Sequence, residues 1–329
     1  MKLHLSAPKA WAAVALASLI SLTACDSRPT AGAAPGTTPA ATPAATLRIS
    51  PVNSYSTLTL SKTVNLASKL PDGTVVQWGA GFPAFAPALD ALNGDSIDVS
   101  TGGATNIFTA LGGGAQFYVI GTEASHFSEG ITASGKSGIG SAADLKGKTI
   151  AVNKAGTGEY LAHKALADAG LKPTDAVLKY LPPSDGLAAF EAGSVDAIAA
   201  WDQYFITAQQ VPGAKLITTG ETLHSTNVLF TFVSKKFADA HPEAVKSLIQ
   251  GLQAASAEAR KNPKLVTDLY TTLGAGPNIT DQVAKWPTLD FTPVNDDTIK
   301  LLQEHQQFLA KVGIIANTNI DIKQWVVRP

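Results

Sequence analysis

The sequence predicts an α/β protein made of two lobes that face one cleft. Three observations carry this. Apolar runs of strand length alternate with segments of helical period, the pattern of mostly parallel sheets covered by helices on both faces. The alternation restarts near Gly130, and a later β-rich run, 228–233, is placed to carry the chain back to the first lobe. Finally, residues 91–99 (ALNGDSIDV) are echoed by 189–197 (FEAGSVDA after Ala189), each reading as helix end, tight turn and strand. In that register Gly103 stands where Trp201 stands, and Ala104 where Asp202 stands. The expected boundaries are 47–130 and 227–329 for lobe 1 and 131–226 for lobe 2.

A chain of 329 residues is long enough for two domains of ordinary size. Charged residues are 16% and hydrophobic ones 45%, a balance that folds rather than stays disordered. The formal charge of −1 lacks the basic surplus of a protein that lives on phosphate backbones, so no nucleic-acid partner is expected.

Residues 1–24 read as an export signal. Lys2 and Lys9 form a short positive region, and 11–22 is an apolar stretch too short to span a bilayer comfortably. Leu22-Thr23-Ala24-Cys25 resembles the bacterial lipobox, which implies acylation of Cys25 and cleavage before it. Cys25 is the only cysteine, so it has no partner for an internal disulfide. An anchoring role accounts for a lone exported thiol. Residues 25–46 would then be the lipidated cysteine and a Thr-, Ala- and Pro-rich linker. Twenty-one flexible residues reach roughly 25 Å. Asp26 resembles an inner-membrane retention signal. The expected place is the cell membrane, lipid-anchored, with the body facing the periplasm or the cell exterior.

In the body, 47–50 opens with a strand, and Ser54, Tyr55 and Ser56 lead into an apolar-periodic segment. Residues 75–78 are β-branched and end in Trp78. Gly79, Gly81 and Phe82 follow in a turn whose glycines let backbone approach a ligand. A helix to about Leu92 precedes a strand over 96–100, and Gly103-Ala104-Thr105 opens the next helix. The second run has a strand over 149–152, then Gly156-Thr157-Gly158 opening a helix to Ala169. A strand over 177–181 stops at Pro182 and Pro183, with Ser184 as the expected N-cap of a helix ending at Gly193. Residues 195–200 deliver Trp201 and Asp202 to the carboxyl end of a strand, where open α/β sheets bind ligands. The pair reads either as apolar wall and fixed acceptor, or as core residue and helix cap. Beyond Pro242 the chain reads as helical.

The segments 145–152 (LKGKTIAV), Gly156-Thr157 with Tyr160-Leu161, 180–185 (YLPPSD), and 193–197 (GSVDA) with Trp201-Asp202 together resemble the solute-binding proteins of ABC importers for aliphatic sulfonates and taurine. Nitrate, bicarbonate and pyrimidine-precursor (thiamine) binders are relatives. The resemblance runs over most of 47–329. It implies the type II periplasmic binding protein fold, two Rossmann-like lobes joined by two hinge strands that close on a ligand. It also implies an ABC permease partner, a monomer, no cofactor and no metal. The chain departs from the family pattern at Ala155-Gly156-Thr157, where Gly-Ser-Asn-like residues are usual, and at Gln203, where proline is usual.

Both helix openings would aim unpaired amides and a partial positive charge at the cleft, with Thr105 and Thr157 adding hydroxyls. Ordinary capping is the alternative. Neither turn has the Gly-Lys-Ser/Thr of a nucleotide loop. Arginine is absent between 49 and 259, so no guanidinium clamp of the kind carboxylate sites use is expected there. A sulfonate or related organosulfur anion can be held by amides and hydroxyls alone. Tyr55, Trp78, Phe82 and Trp201 would line its apolar part. The six histidines show no metal spacing, and His126 is the one candidate if the chain were instead an enzyme like the pyrimidine synthases of this fold.

Overall fold

The computed structural model describes residues 45–66, 70, 74–316 and 319–328. The export signal, Cys25 and the linker up to residue 44 lie outside the described residues. The chain begins with β1 (Thr46–Ile49), α1 (Thr57–Ser61), β2 (Val75–Trp78), α2 (Phe85–Asn93), β3 (Val99–Gly103), α3 (Ala104–Gly112) and β4 (Phe117–Glu123). It then crosses to β5 (Glu129–Ala133), β6 (Thr149–Val152), α4 (Thr157–Asp168), β7 (Val177–Tyr180), α5 (Pro183–Glu191), β8 (Ala197–Trp201), α6 (Asp202–Gln210) and β9 (Lys215–Thr219). A second crossing leads to β10 (Leu229–Ser234), α7 (Lys235–Ala240), α8 (Pro242–Lys261), α9 (Lys264–Thr272), α10 (Pro277–Val283), β11 (Thr292–Pro293) and α11 (Asp296–Val312).

Two sheets result. The first has the order β11-β4-β10-β3-β1-β2 and the second β7-β6-β8-β5-β9. β1 pairs in parallel with β2 and β3, and β6 in parallel with β7 and β8. The strand that arrives over each crossing is inserted antiparallel. β5 lies between β8 and β9, and β10 between β3 and β4. Leu47, Ile49, Val99 and Val233 are fully buried against Leu248 and Leu252 of α8, which fastens the C-terminal helices to the first half. Ile150, Leu161, Ala165 and Ala197 pack the second sheet against α4.

Three local expectations are revised. The strand expected over 96–100 begins at Val99, because Asp95 turns in the left-handed region (φ 54°) and Ser96 N donates back to Ala91 O, prolonging the helix end. The N-cap before α5 is Pro182 and not Ser184. Proline φ is pre-set for a helix start, so Pro183 fills the first position, where no amide is needed. The strands Glu129–Ala133 and Lys215–Thr219 are added, the latter unannounced in the sequence because Lys215 and two threonines leave an apolar run of only Leu216 and Ile217.

Candidate ligand cleft

The carboxyl ends of β3 and β8 face a crevice between the halves, with a cavity of about 60 Å³. One water needs roughly 10–15 Å³ by the same measure, so a small polyatomic head group fits. From the first half come Val52, Ser54, Tyr55, Phe85, Gly103, Asn106 and Leu229. From the second come Glu129, Asn153, Thr157, Trp201 and Asp202, and the crossings add Ser125, Ser128 and Asn227. No lysine or arginine is among the lining residues. Arg48 is occupied elsewhere, paired with Asp98 and Asp95.

The expected residues divide. Ser54, Tyr55, Gly103, Thr157, Trp201 and Asp202 line the cavity. Trp78, Gly79, Phe82, Ala104, Thr105, Gly156 and Gly158 do not. Trp78 packs on the core opposite Ile49 of β1, and Phe82 bridges back to Val52, so Phe85 joins Tyr55 and Trp201 as the aromatic lining. A Cβ on Gly79 would meet Ser50 Oγ at 3.0 Å, and one on Gly158 would meet Ala199 O at 2.6 Å, so both glycines serve close packing. Gly156 is pressed against the Asn153 side chain in the same way.

The main-chain grip is largely spent inside the protein. Ala104 N donates to Val228 O (2.8 Å), Gly103 N to Asn106 Oδ1 (3.1 Å), Thr105 N to Asn227 Oδ1 (3.3 Å) and Gly158 N to Asn153 Oδ1 (2.7 Å). Thr105 Oγ1 also reaches His305 Nε2 (3.0 Å), whose ring is wholly buried and pushed down to about 3 by desolvation, hence neutral. Side-chain amides line the cavity beside them. Asn153 accepts through its oxygen and is one of the lining residues. Asn227 donates to Thr157 Oγ1 (3.0 Å) and to Glu129 Oε2 (3.0 Å), tying the second crossing to the second half.

The two carboxyls differ. Glu129 accepts from Ser225 Oγ (2.6 Å) and Asn227, and burial pushes it up to about 7. Asp202 sits at the start of α6 with φ 55° and accepts from Gln203 N (2.7 Å), Tyr55 N (2.8 Å) and the Tyr270 hydroxyl. Desolvation raises it too. Trp201 is half-buried and meets Tyr204 edge-on at 6.1 Å.

Glu129, Asn153, Asn227 and Asn106 were missed in the sequence. Asn153 directly follows a strand end, the signal that singled out Trp201. Glu129 and Leu229 open the antiparallel strands, so their amino ends meet the carboxyl ends of the others. Glu129 lies opposite Trp201, and Leu229 opposite Gly103. His126 lines a separate depression with Thr122, Glu221 and Asp297, away from this cavity. Among the described residues no group of three His, Cys, Asp or Glu side chains is placed to hold a metal ion.

The family described as NMT1/THI5 like matches residues 86–265. A relative from Escherichia coli (strain K12), named for aliphatic sulfonate binding, is 30% identical over 286 residues, 86% of this chain and 89% of its own length. The alkanesulfonate-binding protein SsuA from Xanthomonas axonopodis pv. citri, solved with MOPS bound, superposes with a TM-score of 0.79 at 29% identity, over 88% of this chain and 100% of that one. The periplasmic aliphatic sulphonate binding protein SsuA from Escherichia coli gives 0.76 at 29% identity, over 88% and 93%. A desulfurization enzyme shares the fold at 18% identity with a TM-score of 0.64.

Proposed function

Because the chain belongs to the NMT1/THI5-like family, we propose that it is the extracytoplasmic solute-binding component of an ABC importer and captures a sulfonate between its halves. The observation that carries this is a small cavity lined from both halves by the neutral polar groups Ser54, Asn106, Ser125, Asn153 and Thr157, with two buried carboxyls, Glu129 and Asp202, and no lysine or arginine. A sulfonate spreads one charge over three oxygens and is satisfied by several modest donors. A carboxylate concentrates its charge and favours a guanidinium fork. The relatives named for sulfonate binding point the same way. Ligand touching both halves stabilises the closed arrangement, which a membrane permease then reads. The lobes would divide at the two crossings, 45–123 with 229–329 and 129–219, which moves the boundary expected at 130 so that β5 stays whole in the second sheet. Cys25 would be acylated and hold the body at the membrane as a monomer.

The test is titration calorimetry with alkanesulfonates and matched alkanecarboxylates. Binding of the sulfonates alone is expected, and heat from the carboxylates alone removes the proposal. Mass spectrometry of the purified protein for a diacylglyceryl group on Cys25 tests the anchor.

Glu129 favours one variant of this reading, a sulfonate that also carries an ammonium group. The pH dependence separates the two. A plain sulfonate binds best with Glu129 protonated, so its affinity falls as pH rises through about 7. An aminosulfonate gains as the carboxylate forms, so its affinity rises over the same range.

A further inference from the structure

Of the non-glycine residues with positive φ, two lie at the crevice, Ala155 and Asp202, each at φ 55°. Alanine has only a methyl group, with no polar atom to ease that conformation, and such strain persists only where surroundings enforce it, often at clamps and switches. Both residues belong to the second half. Both also present acceptors across the crevice. Ala155 O takes the Asn106 side-chain nitrogen of α3 at 2.8 Å. Asp202 takes Tyr55 N at 2.8 Å, from the segment after β1, and the hydroxyl of Tyr270 on α9. Tyr55 and Tyr270 meet edge-on at 6.2 Å inside a cluster that also holds Ile206 of α6, so first-half side chains enclose the carboxylate.

Asp202 therefore has no oxygen left without a donor. Gln203 N and Tyr270 fill one, and Tyr55 N the other. We infer that Asp202 is a positioning residue, a latch whose carboxylate holds the two halves together, and that Tyr270 acts through it without touching the ligand. Tyr270 is absent from the cavity lining. Opening the crevice would take Tyr55 and Tyr270 away from Asp202 while leaving Gln203, on its own helix, in place. The latch thus sets how readily the protein closes, and with it the affinity for whatever fills the cavity.

The Tyr55 amide reports the latch directly, because its acceptor is Asp202 itself. Hydrogen exchange of the ligand-free, full-length protein should show Tyr55 protected. Tyr270→Phe keeps the ring in its cluster and removes only the hydroxyl. It should speed Tyr55 exchange by about tenfold, the scale of one hydrogen bond to a charged group. Asp202→Asn should speed it at least as much, since either orientation of the amide turns its nitrogen toward a donor. Amides of Val99 and Ile150, deep in the two sheets, should not change. Asn153→Ala, a lining change, should leave Tyr55 exchange as it was. Unchanged Tyr55 exchange in Tyr270→Phe and Asp202→Asn overturns the latch. So does an equal rise at Val99 and Ile150, which marks general loosening. The affinity arm rests on the proposed function: titration with butanesulfonate should show Tyr270→Phe binding about tenfold more weakly. Full affinity in that variant also overturns the latch. If the parent protein binds no sulfonate, the exchange result still decides the latch by itself.

Discussion

At the scale of single residues, Glu129 is the cavity-lining carboxyl that the proposed sulfonate would meet. Glu129→Gln should abolish the pH dependence of sulfonate binding between pH 6 and 8. For a plain sulfonate it should raise affinity at pH 8 by up to about tenfold, the factor set by one unit above its midpoint near 7. Calorimetry at both pH values reads this. Gly103 is the counterpart on the first half. A Cβ there would meet Thr157 Oγ1 at 2.9 Å and Asn227 Oδ1 at 3.2 Å, both facing the crevice. Gly103→Ala should weaken ligand binding by about tenfold or more while thermal unfolding moves by only a few degrees, because the crowding falls at the cavity and not in the core. Tyr55, Thr157 and Trp201 were legible because they follow strand ends or open a helix. Glu129 and Asn227 were not. Their strands run against the others, so the rule that ligands meet carboxyl ends points away from them. Thr105 was misplaced for a different reason, since nothing near it in the chain announces His305, two hundred positions on.

At the scale of elements, the nine-residue echo is a structural repeat. Asp95 and Gly193 both turn with positive φ, at 54° and 69°. Ser96 N returns to Ala91 O as Ser194 N returns to Ala189 O. Asp98 then accepts from Arg48 N of β1 (2.9 Å), and Asp196 from Thr149 N of β6 (2.8 Å), so each aspartate pins the first strand of its own sheet. The repeat was visible as letters, but the partner strands were not, because a turn says nothing about what its acceptor will reach. The two sites differ in load. Asp98 is buried and also holds the Arg48 guanidinium through Nε (2.9 Å) and NH2 (2.7 Å). Asp98→Ala should cost roughly 2–4 kcal/mol in urea unfolding, and Asp196→Ala about 1 kcal/mol. Equal costs would mean that the guanidinium contributes nothing.

For the whole molecule, one buried carboxyl should contribute stability that is lost as pH rises from about 4.5 to 7. It is opposed over much of that range by the buried, neutral His305, whose contribution grows with pH. Glu123 is entirely buried at the end of β4, with Thr57 N (2.9 Å) and Thr57 Oγ1 (2.6 Å) donating to one oxygen and no partner among the described residues on the other. Burial pushes it up to about 7 from the usual 4.5. The native state thus binds the proton more tightly than the unfolded chain, so its contribution is complete below 4.5 and gone above about 7. Glu123→Gln should remove that loss from the thermal midpoint across the window and raise the midpoint at pH 8, read by calorimetric scans. The inserted strands carry a last consequence, one of timing. β10 pairs with β3 and β4 more than a hundred residues after them, so the opening sheet lacks its middle member until the whole second sheet has emerged. Such distant pairing delays collapse. For a chain exported as proposed, a keystone that arrives late keeps the opening sheet unfinished during passage.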